Sequence, residues 1–183
     1  MEPRVIGLDL SLTATGVACA DGSLLTIRTG PGDHLADERD RLRWIADEAV
    51  ARTEAARVLT FAVVEGPSFG SKGNALHQLG GLWWLVVDAL MAVGAAVAVV
   101  PPGTLKVYAT GSGSATKPDM RMALYKRTGL DVKDDNRVDA WWLRAMGLDY
   151  LGRPPVAMPQ AQRAALGKAR WPQVPRGSTA AAG

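Results

Sequence analysis

At 183 residues the chain has room for one medium domain and a tail, and too little for the two large domains that close around a nucleotide in kinases. Its single cysteine, Cys19, allows no internal disulfide, and with only His34 and His77 beside it there is no zinc-type cluster. The net charge of +3 is uneven: five basic residues and no acids follow Leu151, so the first 150 residues carry 16 basic against 18 acidic groups.

Val5-Ile6-Gly7-Leu8-Asp9-Leu10 opens the chain as a near-continuous apolar run, the pattern of a strand buried on both faces, interrupted by one carboxylate. An unpaired buried carboxylate costs several kcal/mol, so Asp9 calls for a hydrogen-bonded partner, a cation, or a place at the strand's exposed end. Residues 15–20 and 23–28 read as two further strands, joined through Asp21-Gly22, a two-residue hairpin signal. Residues 37–56 form an amphipathic helix with Leu42, Ile45, Ala49 and Val50 on one side. Residues 59–65 return as a buried strand that again ends in an acid, Glu65.

Residues 75–93 make a helix with two apolar stripes: Leu76, Leu79, Trp83, Val86 and Leu90 on one side, Gly80, Trp84, Val87 and Met91 on the other. One stripe can face a sheet, and a second subunit or the chain's own last helix, with Trp141 and Trp142, can cover the other. The apolar stretch 82–100 has the length of a bilayer span, but Gly94 divides it and Pro101-Pro102-Gly103 ends it, so a buried helix and a strand at 95–100 are expected and no membrane segment. Residues 101–118 read as a loop with Lys106 and Lys117. It is not a nucleotide-binding P-loop, because Thr116 stands where a glycine must precede the lysine and Pro118 where Ser or Thr must follow. Helices follow at 119–128 and 136–148. Residues 151–183, rich in proline and basic, form a largely flexible tail with a helical turn or two around 160–170. The domain itself is residues 1–150. No basic start followed by an apolar stretch and a cleavage site is seen, so a cytoplasmic setting is expected.

The last helix opens Lys133-Asp134-Asp135-Asn136-Arg137-Val138-Asp139-Ala140, which brings Asp135, Asn136 and Asp139 onto one face. Acids at a helix start are ordinary caps, which accounts for Asp134 or Asp135 and not for Asp139, a full turn inside. Carboxylate and amide oxygens favour hard cations, Mg²⁺ or Mn²⁺. Asp9, Glu65 and Asp139 around two ions about 3.5–4 Å apart would suit in-line hydrolysis of a phosphodiester by water.

Ile6-Gly7-Leu8-Asp9-Leu10-Ser11 with Thr15-Gly16-Val17-Ala18, Val64-Glu65-Gly66-Pro67, and Asp135-Asn136 through Asp139-Ala140 resemble the motifs of the RuvC-type Holliday-junction resolvases, the phage-encoded branch in particular. That resemblance covers residues 4–150. It implies an α/β, ribonuclease H-like fold: a mixed five-stranded sheet with helices on both faces, in which the first and fourth strands bring Asp9 and Glu65 together. It further implies a Mg²⁺-dependent endonuclease, with Mn²⁺ as a substitute and two ions per site, acting as a homodimer on branched DNA in recombination or repair, in the cytoplasm of a bacterium or a phage-infected host. Lys106 and Lys117 stand at the family's spacing for two basic residues near the scissile phosphate. The family places a ligand three residues before the last aspartate, where this chain has Asn136; Asp135 lies one residue earlier, and either can serve as the fourth ligand. In the glycine-rich loop after Glu65, Phe69 is the candidate for the family's aromatic wedge, and Lys72 for a DNA contact. Three other readings compete: a nuclease of the same fold acting on flap DNA or RNA, a catalytically silent junction-binding module, and an actin-like phosphotransferase suggested by Gly7 to Thr13, which the chain length disfavours.

Overall fold

The computed structural model describes residues 3–52, 60–67 and 74–173. Five strands, β1 (Arg4–Asp9), β2 (Ala14–Ala18), β3 (Leu24–Arg28), β4 (Thr60–Glu65) and β5 (Ala96–Val100), form one sheet in the order β3-β2-β1-β4-β5. β1, β2 and β3 are antiparallel in sequence, whereas β1 with β4 and β4 with β5 are parallel. The central β1 and β4 are covered on both sides, which is why they read as apolar runs rather than as alternating ones.

Side chains alternate between the faces of a strand. Ile6, Leu8, Ala62 and Val64 point into a core shared with Ile45 and Ala49 of α1 (Leu35–Ala51) and with Leu82, Val86 and Leu90 of α2 (Asn74–Ala92). Val5, Phe61 and Val63 point the other way, into a core with α3 (Pro102–Thr110), α4 (Lys117–Thr128) and α5 (Asp135–Tyr150). The expected mixed five-stranded α/β arrangement is therefore present, with helices on both faces.

The structure differs from the sequence reading in four places. The hairpin between β2 and β3 has a three-residue loop: Cys19 N–H bonds Ser23 O at 2.8 Å, Gly22 N–H bonds Cys19 O at 2.9 Å, and Gly22 sits at φ 93°. A residue at positive φ after a tight turn is the bulged form of the hairpin, which only glycine enters without strain. The segment 101–118 contains α3, because Pro102 lies at the helix's first position, where its missing N–H costs nothing. Gly111 at φ 90° then ends it. On α2 the buried side is Leu82, Trp83, Val86, Val87 and Leu90, while Leu76 is exposed together with Trp84, Leu85 and Met91. Trp141 and Trp142 lie in the core on the opposite face of the sheet, so α5 does not cover α2.

The fourth difference concerns the residues after α5. Residues 151–173 run back over the α3 to α5 layer, through a short helix α6 (Gln160–Arg163) and a 3₁₀ turn (Ala164–Lys168). Asp149, fully buried, accepts from Arg163 in a bidentate pair, Nη2 to Oδ1 at 2.7 Å and Nε to Oδ2 at 3.1 Å, and from the Tyr108 hydroxyl at 3.0 Å. Trp171 stacks on Tyr150 with centroids 4.3 Å apart, and Arg170 pairs with Val99 of β5. Proline content suggested an unstructured segment; apolar and ionic contacts with the domain override it. Among the described residues no helix is long and apolar enough to cross a membrane.

Candidate active site

Asp9 and Glu65 end β1 and β4. The two strands run parallel with Leu8 beside Val64, so the next residue of each emerges beside its neighbour. Strand alternation sends Asp9, like Val5, and Glu65, like Phe61 and Val63, toward α5. Both acids thus stand at the carboxyl edge of the sheet on the α5 side.

α5 reaches that edge because glycine lets it. A Cβ on Gly7 would stand 2.1 Å from Ala140 O, one on Gly16 would stand 2.1 Å from Asn136 O, and one on Gly147 would meet Val63 and Val5 at 2.6 and 2.7 Å. With three glycines at the crossings, the helix lies directly on β1, β2 and β4, its first turn toward the ends of Asp9 and Glu65. Asp139 lies between the first two crossings. Asp134 caps the helix, accepting Asn136 N–H at 3.1 Å and Arg137 N–H at 3.3 Å, and it also bonds Thr26 and Arg28 of β3. At the end of β4, Trp83 of α2 donates its indole N–H to Glu65 O at 2.9 Å, and Gly66 N–H bonds Val100 O at 2.8 Å.

The three carboxylates form one electrostatic unit. Asp9 is 8 % exposed, and burial first, then the charges of Glu65 and Asp139, hold its carboxyl well above the usual range. Asp9 and Glu65 share a hydrogen bond that raises the first and lowers the second. Glu65 is pushed up to about 7 by burial and then by Asp139. Asp139 is pushed up to about 6 by burial, against the pull of Lys117. Lys117, at the start of α4, and Lys106, on α3, both lower Glu65 and Asp139 through their charge, so the two lysines face the same site.

The sequence left the fourth ligand open between Asp135 and Asn136, and both side chains are engaged. Asp135 bonds Arg121 Nε at 2.6 Å and Lys117 Nζ at 3.3 Å, and Arg121 foremost holds its carboxyl below the usual range. Asn136 donates its side-chain N–H to Ala14 O of β2. Phe69 and Lys72 lie outside the described residues. Sequence reasoning passed over Arg121, the hydrogen bond of Trp83 to Glu65 and the roles of Gly7 and Gly16. Of these only the glycines carried a local signal: an isolated glycine inside a strand marks a close backbone approach.

An oxygen-only set of three carboxylates, Asp9 buried and Glu65 and Asp139 partly so, each raised by its burial, fits a hard divalent cation in charge and donor type. Among the described residues no group of three His, Cys, Asp or Glu side chains is yet arranged to hold a metal ion. The fit is therefore one of chemistry, and the carboxylates must draw together to complete it.

The raised values have a consequence for the metal-free protein. Unfolded, Glu65 and Asp139 return to 4.5 and 3.8. Their deprotonation is thus harder in the fold than out of it, and this cluster's contribution to stability falls as pH rises from about 4 to about 7. In chelator, Asp9→Asn should melt above the parent at about pH 8, with the gap closing toward about pH 5 as the parent's acids take up protons. A gap that is the same at both pH values, or a variant that melts lower at both, would contradict the coupling.

No protein-family model matches the chain, and neither does any curated protein. Solved structures do. Thermus thermophilus RuvC superposes with a TM-score of 0.62 at 19 % identity, covering 85 % of this chain and 99 % of RuvC. T. thermophilus RuvC in complex with a Holliday junction substrate gives a TM-score of 0.64 at 16 % identity, covering 86 % of this chain and all of that one. The sheet order, the helix laid on it through three glycines, and this correspondence over nearly the whole of RuvC together mean that the chain has a RuvC-like α/β fold.

Proposed function

We propose that the chain is a structure-selective endonuclease that hydrolyses phosphodiesters in branched DNA, four-way junctions foremost, with Mg²⁺ or Mn²⁺. The observation that carries this reading is the convergence of Asp9, Glu65 and Asp139 from β1, β4 and α5 on one sheet edge flanked by Lys106 and Lys117. The neighbour bound to a Holliday junction substrate supports the choice of DNA.

Asp9, Glu65 and Asp139 hold the cation or cation pair. Asn136 supplies the fourth oxygen, since its amide nitrogen is already committed to Ala14. Asp135, shared by Arg121 and Lys117, keeps the Lys117 ammonium at the edge of the site. A bound divalent cation supplies Lewis acidity and a nucleophilic water at neutral pH. Lys117 and Lys106 place positive charge where the phosphate gains negative charge in the transition state. Phe69 and Lys72, beyond Glu65, contact the junction. The exposed Trp84, Leu85 and Met91 on α2 form the seam of a homodimer, which sets two sites on the two strands of a symmetric junction. Residues 151–183 give the domain a basic end that meets phosphates. This places the enzyme in DNA recombination or repair.

A silent junction-binding module is the second reading, favoured by the absence of a ready-made ligand group among the described residues. The two separate on a labelled four-way junction set beside duplex, flap and RNA/DNA hybrid, with Mg²⁺ or chelator. Paired symmetric nicks in the junction alone, lost in chelator, are expected. Tight binding without cutting would leave the module, and cutting of flap or hybrid instead would retain the chemistry and change the substrate.

A further inference from the structure

Beside the carboxylate edge lies a cleft of about 550 Å³ between α4 and the segment leading to α5. Pro118, Met122 and Tyr125 form its α4 side, Leu130 the other, and Arg121 stands at the end nearest the acids. Its apolar side chains are unusually open for their size: Tyr125 is 54 % exposed, Met122 51 % and Leu130 45 %. The volume falls in the range of about 300–1,000 Å³ typical of small-ligand sites.

The cleft continues the candidate active site. Lys117, Arg121 and Tyr125 are four residues apart on α4, so they lie one above another along one face, with a rise of about 6 Å per step. Lys117 and Arg121 share Asp135, and Lys117 is the ammonium that acts on Asp9, Glu65 and Asp139. The order along the helix is therefore cation, cation, aromatic, beginning at the acids. Arg121 uses Nε on Asp135, and a guanidinium has four further N–H donors for a phosphate oxygen. Asp131, which also lines the cleft, repels phosphate beside it, so the apolar side chains are left for a base.

We infer that this cleft is a nucleobase subsite: a base of the strand being cut, a short distance from the scissile phosphate, leaves its stack and lies on Tyr125 between Met122 and Leu130 while Arg121 holds the intervening backbone. The inference rests on the proposed nuclease reading and adds to it the path of the strand away from the cut. A stripe of basic side chains leading to an exposed aromatic is the arrangement by which proteins follow single-stranded nucleic acid, because every base offers a face for stacking. A protein partner, or a second copy of the chain, would gain nothing from cations that run into a carboxylate site. The unpaired strands at a branch point supply a base that is already poorly stacked, which lowers the cost of moving it.

The test uses the full chain, its Tyr125→Ala and Tyr125→Phe variants, and four-way junctions carrying 2-aminopurine at each position within four nucleotides of the cut. With saturating parent or Tyr125→Phe protein, one position should change its fluorescence, and Tyr125→Ala should abolish that change. Tyr125→Ala should also weaken junction binding by about 5- to 160-fold, with an unaltered melting temperature and Tyr125→Phe close to the parent. Equal binding, cutting and fluorescence for parent and Tyr125→Ala would overturn the subsite and leave the nuclease standing. A Tyr125→Ala chain that instead changes its sedimentation from dimer to monomer would overturn it in favour of a protein interface. Failure of the parent to bind any branched DNA would overturn both readings together.

Discussion

An Asp9→Asn protein is expected to bind a four-way junction as the parent does and to cut it at least about 10²–10³-fold more slowly. Asparagine has nearly the size of aspartate and keeps a side-chain group that can hydrogen-bond Glu65, as Asp9 does. What it removes is the negative charge at the most buried of the three acids, the one that Glu65 and Asp139 both push upward. A cation held between them loses a ligand and part of its electrostatic attraction. Binding and chemistry separate because Asp9 ends a buried strand and has little surface to offer a DNA arm. Single-turnover cutting in Mg²⁺, beside binding in chelator, reads the two apart. Parental cutting by the variant would remove Asp9 from the mechanism. Loss of binding at an unchanged melting temperature would make it a DNA contact.

Gly16→Ala and Gly7→Ala should be more damaging than their size suggests. In each a single methyl group would stand 2.1 Å from a backbone carbonyl of α5, Asn136 O for the first and Ala140 O for the second. No side chain can swing aside there. The helix itself must lift from the sheet, at a cost of about 1–3 kcal/mol for overpacking and more where the backbone resists. The lift also carries Asp139 away from Asp9 and Glu65, and misplacement by about 1 Å costs on the order of 100-fold in rate. Cutting should therefore fall well beyond what the unfolded fraction explains. Gly80→Ala is the matched control, since a Cβ there meets nothing within 4 Å and alanine favours the helix. Melting curves and cutting rates on the three variants test the argument, and parental rates from folded Gly16→Ala would show that the α5 crossing does not set the geometry.

These two cases show where the sequence spoke and where it was silent. Asp9 and Glu65 were visible because a charge in an apolar strand is costly, and Asp139 because capping does not reach a full turn into a helix. The five strands and the helices of α1, α2, α4 and α5 followed from hydrophobic period, and their order is the observed one. Proline misled twice. Pro101 and Pro102 end the strand at Val100 as read, but the segment after them, read as loop, opens with α3, since proline's fixed φ suits the first turn of a helix. The prolines after 150 read as disorder, although Arg163 on Asp149 and Trp171 on Tyr150 tie that segment down. Neither tie is local in sequence, and the meeting of its partners depends on the fold. The same holds for Arg121 on Asp135, a pair 14 residues apart across a helix and a loop. Trp83 carried a stripe signal for the core, and nothing local announced that its N–H holds the backbone of Glu65.

The pairing of Arg170 with Val99 has a consequence for how the molecule keeps to itself. β5 is the last strand of the sheet on its side, and an open outer strand is a template on which another chain can add by main-chain hydrogen bonds. Val99 N–H and O are both taken by Arg170, at 3.0 and 2.9 Å, from a segment that brings the bulk of Trp171 and a positive charge to that border. The residues after α5 thus work as a guard on an apolar strand of Ala and Val, the composition most inclined to stack with copies of itself. A form of this protein ending at residue 150 would keep the carboxylates and expose that border, so its solubility would be set by an edge far from its chemistry.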